Sequence, residues 1–317
     1  MKQLLKTALR KLGLLTWIKR MRQQHPEISS EKVVGTTTSG IDFFTVNSKE
    51  TFDEYTKEHV EAFAKRKIVD QMAKQVSNNP YYVKGSNFLL PSGKGLYYAT
   101  GSTNLREGFV CVETGLNNRV RATLYAISQM VGLGNLKNQS IYLTEAVTDL
   151  SRWFENHAQH ITTSEFLDPQ MESGRIINGI QHQDITRLSF ADQTFDLSVC
   201  LEVLEHVPDY LKAFSELARV TKVGGRVFIT VPFIEKNEQT VIRASFDQRG
   251  ELIHHLPPEY HGDPVNEQGG ILCFQHFGWD MLGQLKTAGF SDVKVHLVWS
   301  ASELMLDRHI MVFEAIR

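Results

Sequence analysis

The chain of 317 residues contains only three cysteines, Cys111, Cys200 and Cys273, widely spaced and odd in number. That excludes a disulfide framework and a four-thiolate zinc site, and it fits a reducing compartment. No apolar run reaches the roughly 18–20 residues that span a bilayer, and no long apolar core is followed by a small-residue cleavage site. A cytoplasmic protein is therefore expected. Charge of one sign is also lacking: the formal net charge is -2, and no nucleic-acid-binding motif is present, so nucleic acid is not an expected partner. Internal repeats are absent. With 42% hydrophobic and 22% charged residues, the composition excludes a largely disordered or fibrous chain.

What is present divides into three parts. Residues 1–25 form the first, where Leu4, Leu5, Ala8, Leu9, Leu12, Leu15 and Trp17 lie among Lys2, Lys6, Arg10, Lys11, Lys19, Arg20 and Arg22. This spacing predicts a basic amphipathic helix. Two partners suit it: an anionic membrane surface at the inner face of the membrane, or another protein surface, its own or a second subunit's. Packing on protein is the plainer expectation. Residues 26–137 form an accessory region. It opens with a Ser, Thr and Gly rich linker over 27–50 containing a short strand at Phe43–Val46. A helix is predicted from Phe52 to Gln75, and beyond Pro80 come short aromatic strands separated by turn residues.

From Gln139 onward, strand and helix patterns alternate, as in an α/β protein with a largely parallel sheet. Strands are predicted at Ser140–Thr144, Ile161–Phe166, Phe195–Leu201, Arg226–Val231, Val293–Trp299 and His309–Ala315, and helices at Asp149–His157, Tyr210–Val220 and Trp279–Ala288. In such a sheet, ligands gather outside the carboxyl ends of the strands. Glu165, near the end of the second strand and about 20 residues past the first turn, has the spacing of a carboxylate that accepts hydrogen bonds from ribose hydroxyls. The plainer reading of Glu165 is a solvated loop acid.

The series Asp184–Phe190, Phe195–Cys200 and Leu201-Glu202-Val203-Leu204-Glu205-His206-Val207-Pro208-Asp209, followed by a helix, Gly224-Gly225 and the strand Arg226–Pro232, resembles the middle of the class I S-adenosylmethionine-dependent methyltransferases, type 11-like. The resemblance covers residues 138–317. It implies a Rossmann-like sheet with helices on both faces, S-adenosyl-L-methionine as cofactor, and transfer of its methyl group to a small-molecule or glycan acceptor, with oxygen as the expected nucleophile. The Glu202–Asp209 stretch is especially similar to ubiquinone-biosynthesis and related O-methyltransferases. Carried over residue by residue, Asp184 meets the adenine amino group, the Ile185 amide meets a ring nitrogen, and Glu202 helps to position cofactor or acceptor.

The first turn departs from the family pattern, with Thr144, Ala146 and Thr148 at its three glycine positions and Glu145 between the first two. Glycine there lets the backbone approach the cofactor. The Thr hydroxyls or Glu145 are the expected contacts to the methionine ammonium and carboxylate. This turn and the Ser164-Glu165 pair are similar to a bacterial subgroup with a variant first motif. Members of that subgroup carry paired C-x-x-C motifs near Arg106–Cys111 and Gly115–Ala122; here Thr114 stands at the partner position of Cys111, so the segment is a degenerate metal knuckle. Arg119 and Arg121 could bind an anionic acceptor, but solvated or structural arginines are the plainer expectation.

Glu202, Glu205 and His206 resemble a divalent metal site of ubiquinone-type enzymes, where oxygen-rich ligands favour magnesium. Acids at a helix start need no metal, however, and none is expected. The segment between the fifth strand and the last helix concentrates histidines and aromatics where the family builds acceptor pockets. His261 is the first candidate for a catalytic base, with His254, His255 and His276 as competitors. A non-catalytic protein that retains the fold for partner or membrane binding is the alternative.

Overall fold

The structure is a computed structural model that describes residues 40–76, 81–99, 104–262 and 270–317. The basic segment 1–25, most of the linker after Pro26 and residues 263–269 lie outside the described residues.

Among the described residues seven strands build the central sheet: β1 (Asp42–Val46), β2 (Ser140–Leu143), β3 (His160–Thr163), β4 (Phe195–Leu201), β5 (Thr221–Thr230), β6 (Asp292–Ser300) and β7 (Met305–Ile316). Their order is β1-β6-β7-β5-β4-β2-β3. β3, β2, β4 and β5 run parallel, whereas β7 is antiparallel to β5 and β6, and β1 is antiparallel to β6. The two last strands form an antiparallel hairpin. This hairpin is not an edge of the sheet, because β1 pairs with β6 from Asp42 opposite Trp299 to Val46 opposite Val295.

Among the described residues six helices flank the sheet: α1 (Lys49–Glu58), α2 (Val60–Val76), α3 (Asn118–Met130), α4 (Asp149–His157), α5 (Tyr210–Val220) and α6 (Asp280–Thr287). The single helix expected over Phe52–Gln75 is broken at His59, which caps the carbonyl of Tyr55. Side chains alternate between the sheet's faces with the strand period of two. Val227 and Ile229 of β5 and Met311, Phe313 and Ala315 of β7 enter the core beneath α1, α5 and α6. Phe228, Ile310 and Val312 point the other way, into the core beneath α3 and α4. The second core also takes Ile41, Phe43, Leu116, Val120 and Leu124, so residues before and after position 138 share it.

Local signals explain why α4 and α5 start where they do. Thr148 caps α4 by accepting a hydrogen bond from Ser151 N, and Asp209 caps α5 by accepting from Lys212 N. Each helix then buries one stripe: Leu150, Trp153 and Phe154 in α4, and Tyr210, Ala213, Phe214 and Leu217 in α5.

The accessory region adds a three-stranded sheet of Tyr81–Ser86, Lys94–Ala99 and Val110–Cys111. Cys111 is buried, with its thiol beside Asn87 and Glu113, and its turn is held by Gly115 N donating to Cys111 O and Leu116 N donating to Thr114 Oγ1. Protein hydrogen bonds thus hold the knuckle-like turn. Arg121 is fully buried, stacked 4.4 Å over the Tyr97 ring and bonded to the carbonyls of Phe109, Glu303 and Leu304. Of the two plainer readings, solvated or structural, the buried Arg121 takes the structural one.

Candidate functional site

Because β3 and β4 lie on opposite sides of β2, the strand order reverses between β2 and β4, and the crevice at their carboxyl ends is the ligand position of an open α/β sheet. The turn Thr144–Thr148 leaves β2 at this point, and Glu202 leaves β4 there. Thr144 donates from its backbone N to Val199 O at 3.2 Å and has its hydroxyl 3.5 Å from the same carbonyl, so this side chain ties β2 to β4. Ala146 N and Val147 N donate to Glu165 Oε1 at 2.8 and 3.3 Å. That carboxylate is therefore buried against the turn, and the solvated-loop reading of Glu165 does not describe it. Its Oε1 holds the turn where a glycine-rich loop would hold itself. Glu145 stands close by; burial, together with the charge of Glu165, pushes its carboxyl up to about 6 against the opposing pull of Thr148 and Arg119.

Asp184 lies beyond a single parallel bridge between Glu165 and His182. Its Oδ1 accepts from Thr186 N at 2.9 Å and from the Thr186 hydroxyl at 2.7 Å, an Asx-type turn that leaves Asp184 half-buried. The Ile185 backbone N has no hydrogen-bond acceptor among the described residues. An unpaired donor at this place fits a ligand ring nitrogen.

Glu202 adopts φ +53°, a left-handed conformation uncommon for a side-chain-bearing residue. That turn aims its carboxylate at Arg106, which grips it with two hydrogen bonds of 2.7 Å, while Arg119 Nε stands 4.0 Å away. Burial alone raises the Glu202 carboxyl, but the two guanidinium charges outweigh it and hold the group at about 2. Arg119 is itself paired with Glu107 at 2.7 Å.

Glu202 opens onto a cleft of about 770 Å³ lined by Arg106, Arg119, Phe233, Glu235, His261 and Arg308 among others. The accessory region thus forms one wall, and the segment after β5 forms another. His261 sits on a two-residue strand, Tyr260–His261, paired with Ile271–Leu272. Its Nε2 lies 3.0 Å from Glu259 and its Nδ1 3.5 Å from Glu205. The proximity of Glu205, then of Glu259, overcomes burial and raises the His261 pKa to about 9. His276 joins Glu259 at 3.2 Å. His254 and His255 are exposed, and neither lines the cleft.

Of the residues expected from the sequence, Thr144, Glu145, Ala146 and Glu165 gather at the first turn, and Glu202 and His261 share the cleft. Asp184 and Ile185 are not among the cleft's lining. Sequence reasoning missed Arg106 as the partner of Glu202, because 96 positions separate them. It also missed Glu259, although the alternation of a strand places Glu259 and His261 on one side.

Residues 146–229 match the family described as Methyltransferase domain. Over 123 residues the chain is 32% identical to a demethylmenaquinone methyltransferase of Halalkalibacterium halodurans, which is 37% of this chain and 48% of that protein. Over 54 residues it is 41% identical to a ubiquinone biosynthesis O-methyltransferase of Aeromonas salmonicida, 16% of this chain and 23% of the relative. The chain thus spans less than half the length of these curated relatives. Among solved structures, an S-adenosylmethionine dependent methyltransferase from Mesorhizobium loti aligns with 62% of this chain and 98% of its own at 16% identity, with a TM-score of 0.39. The matched segment runs from the first turn to the end of β5, which is the stretch that builds the crevice, and over these residues the chain is similar to methyltransferase domains.

Proposed function

We propose that the protein is a methyltransferase that uses S-adenosyl-L-methionine to methylate a small-molecule acceptor, with oxygen as the nucleophile and a glycan within the same range of acceptors. The observation that carries this reading is the coincidence of the matched segment, residues 146–229, with the crevice where the strand order reverses.

The residues present fit the cofactor. Glu145 and Glu165 set two carboxylates at the first turn, which suits a ligand bearing an ammonium and a sulfonium. Ile185 N offers a donor for an adenine nitrogen, and Asp184 flanks it. The missing glycines are offset by small side chains at Thr144, Ala146 and Thr148, and by Glu165, which braces the turn from outside. When bound, the cofactor supplies an activated methyl group. The chain's contribution is alignment: Glu202, locked by Arg106, forms a fixed boundary between cofactor crevice and acceptor cleft, and His261 stands beside the acceptor nucleophile.

Calorimetric titration of the full chain with S-adenosylmethionine and S-adenosylhomocysteine tests the reading. One equivalent should bind, and Glu165→Ala should weaken binding at least about tenfold, the loss of one charge-assisted hydrogen-bonding group. Glu165→Gln, which keeps an oxygen for the two turn amides, separates loss of charge from collapse of the turn. A folded wild-type protein that binds neither ligand would favour the non-catalytic use of the fold and overturn the proposal.

A further inference from the structure

Glu205 is fully buried, and neither of its carboxylate oxygens has a hydrogen-bond partner among the described residues. No lysine or arginine among those residues pairs with it; its charged-group neighbours are the imidazoles of His206 and His261. A buried carboxylate without a partner costs several kcal/mol unless a cation meets it.

The two imidazoles show what kind of cation the place suits. His206 Nδ1 lies 2.9 Å from Leu272 O. A carbonyl only accepts, so Nδ1 carries a proton, and in the neutral ring Nε2 presents its lone pair to Glu205 Oε1, 3.7 Å away. In that form two acceptors face each other, an arrangement that a metal ion between them satisfies. His261 brings a second imidazole to the same oxygen: Nε2 lies 3.0 Å from Glu259 Oε1 and Nδ1 3.5 Å from Glu205 Oε1, so that either a proton or a metal ion on Nδ1 meets the Glu205 charge. Glu259 is in turn held by Arg243 at 3.0 Å and His276 at 3.2 Å. Each imidazole thus has one nitrogen fixed by an outer oxygen and the other turned inward, which is how protein-bound metal ions are supported.

The spacing fits an ion of the zinc class. Ligand atoms bound tetrahedrally at about 2.0–2.1 Å lie about 3.3 Å apart, close to both nitrogen-to-oxygen separations. Glu205, His206 and His261 converge with all three donor atoms within 4.8 Å of one another. Cys273, near His261 and Glu259, is not needed, because its thiol donates to Gln275 O at 3.3 Å. The frame is stiff: Phe274 N donates to Glu205 O at 2.7 Å, and the Gln275 amide bonds the carbonyls of Leu204 and Val207 on either side of the turn.

We propose that Glu205, His206 and His261 bind a divalent transition-metal ion of the zinc class, with its remaining coordination positions toward the cleft that His261 lines. This is not the group suggested by spacing along the chain, since Glu202 is committed to Arg106 and a histidine from the segment after β5 replaces it. Two nitrogen donors also shift the preference from magnesium to zinc. The site does not depend on the methyl-transfer reading.

The test uses the full chain, stripped with a chelator and titrated with Zn²⁺ and, as a spectroscopic probe, Co²⁺. One equivalent should bind with micromolar or tighter affinity, Co²⁺ should give the visible absorption of a four- or five-coordinate nitrogen and oxygen site, and Zn²⁺ should raise the Tm. Glu205→Gln and His261→Ala should each weaken Zn²⁺ by at least about 100-fold, and Glu259→Gln by about 10- to 100-fold through the outer hydrogen bond. His157→Ala, at the end of α4, should leave binding unchanged. His261 is half-buried on a short outer strand, so His261→Ala keeps the test decisive if Glu205→Gln does not fold. Absence of stoichiometric binding by folded wild-type protein, or equal binding by folded His261→Ala, overturns the proposal.

Discussion

Glu202 shows how one residue concentrates the chemistry of the crevice, since its left-handed backbone and two-pronged contact with Arg106 depend on each other. Glu202→Gln should destabilise the fold by about 1–3 kcal/mol, the scale of a hydrogen bond to a charged group, as read by urea unfolding at neutral pH. The pH dependence follows from the same contact. A carboxyl held at about 2 in the folded chain, below its ordinary 4.5, contributes stability that is fully present above the unfolded value. That contribution is lost as pH falls from about 4.5 towards 2. Unfolding of the wild type should therefore become easier over that window, and Glu202→Gln should flatten the change. Equal slopes in the two proteins would show that Arg106 does not hold this charge. Glu202 itself stood out in the sequence through its motif. Arg106 did not, because nothing near it in the chain announces a partner across the fold.

At the scale of elements, α4 and α5 have the bounds their sequence predicts, and the structure adds the side-chain cap at which each begins. Thr148→Ala should cost about 1 kcal/mol, the usual value of an N-cap, measured by chemical denaturation. Because α4 begins directly after the first turn, the same change should also weaken S-adenosylhomocysteine binding severalfold. Full stability in Thr148→Ala would mean that Ser151 N finds another acceptor. The ends of β2 and β3 fall short of their expected limits at Thr144 and Phe166, where the chain turns away to bring Glu165 against Ala146. β5 begins earlier than its apolar run, as Thr221 already pairs with Phe195 before an irregularity over Thr221–Arg226. Apolar periodicity reports burial, and it is silent where a strand continues through glycine and charge.

For the whole molecule, the accessory region and the sheet share one core. Ile41, Phe43, Leu116, Val120 and Leu124 pack with residues of β2, β4, β5, β6 and β7, and β1 completes the sheet edge. A chain comprising residues 138–317 alone should therefore lack a cooperative urea transition and a native near-ultraviolet circular dichroism signal, because it exposes that apolar surface and the hydrogen-bonding edge of β6. Cooperative unfolding of that fragment would show that the second core does not need the earlier residues. The sequence by itself determined the alternation of strands and helices, the parallel core of the sheet and the crevice at its carboxyl ends, because periodicity, caps and turns act over a few residues. Only the tertiary structure decided that β1 closes the sheet, that Arg106 neutralises Glu202, and that Glu205 meets His261. Those pairings join residues distant in the chain, and they are set by where the packed elements bring opposite charges and hydrogen-bonding edges together.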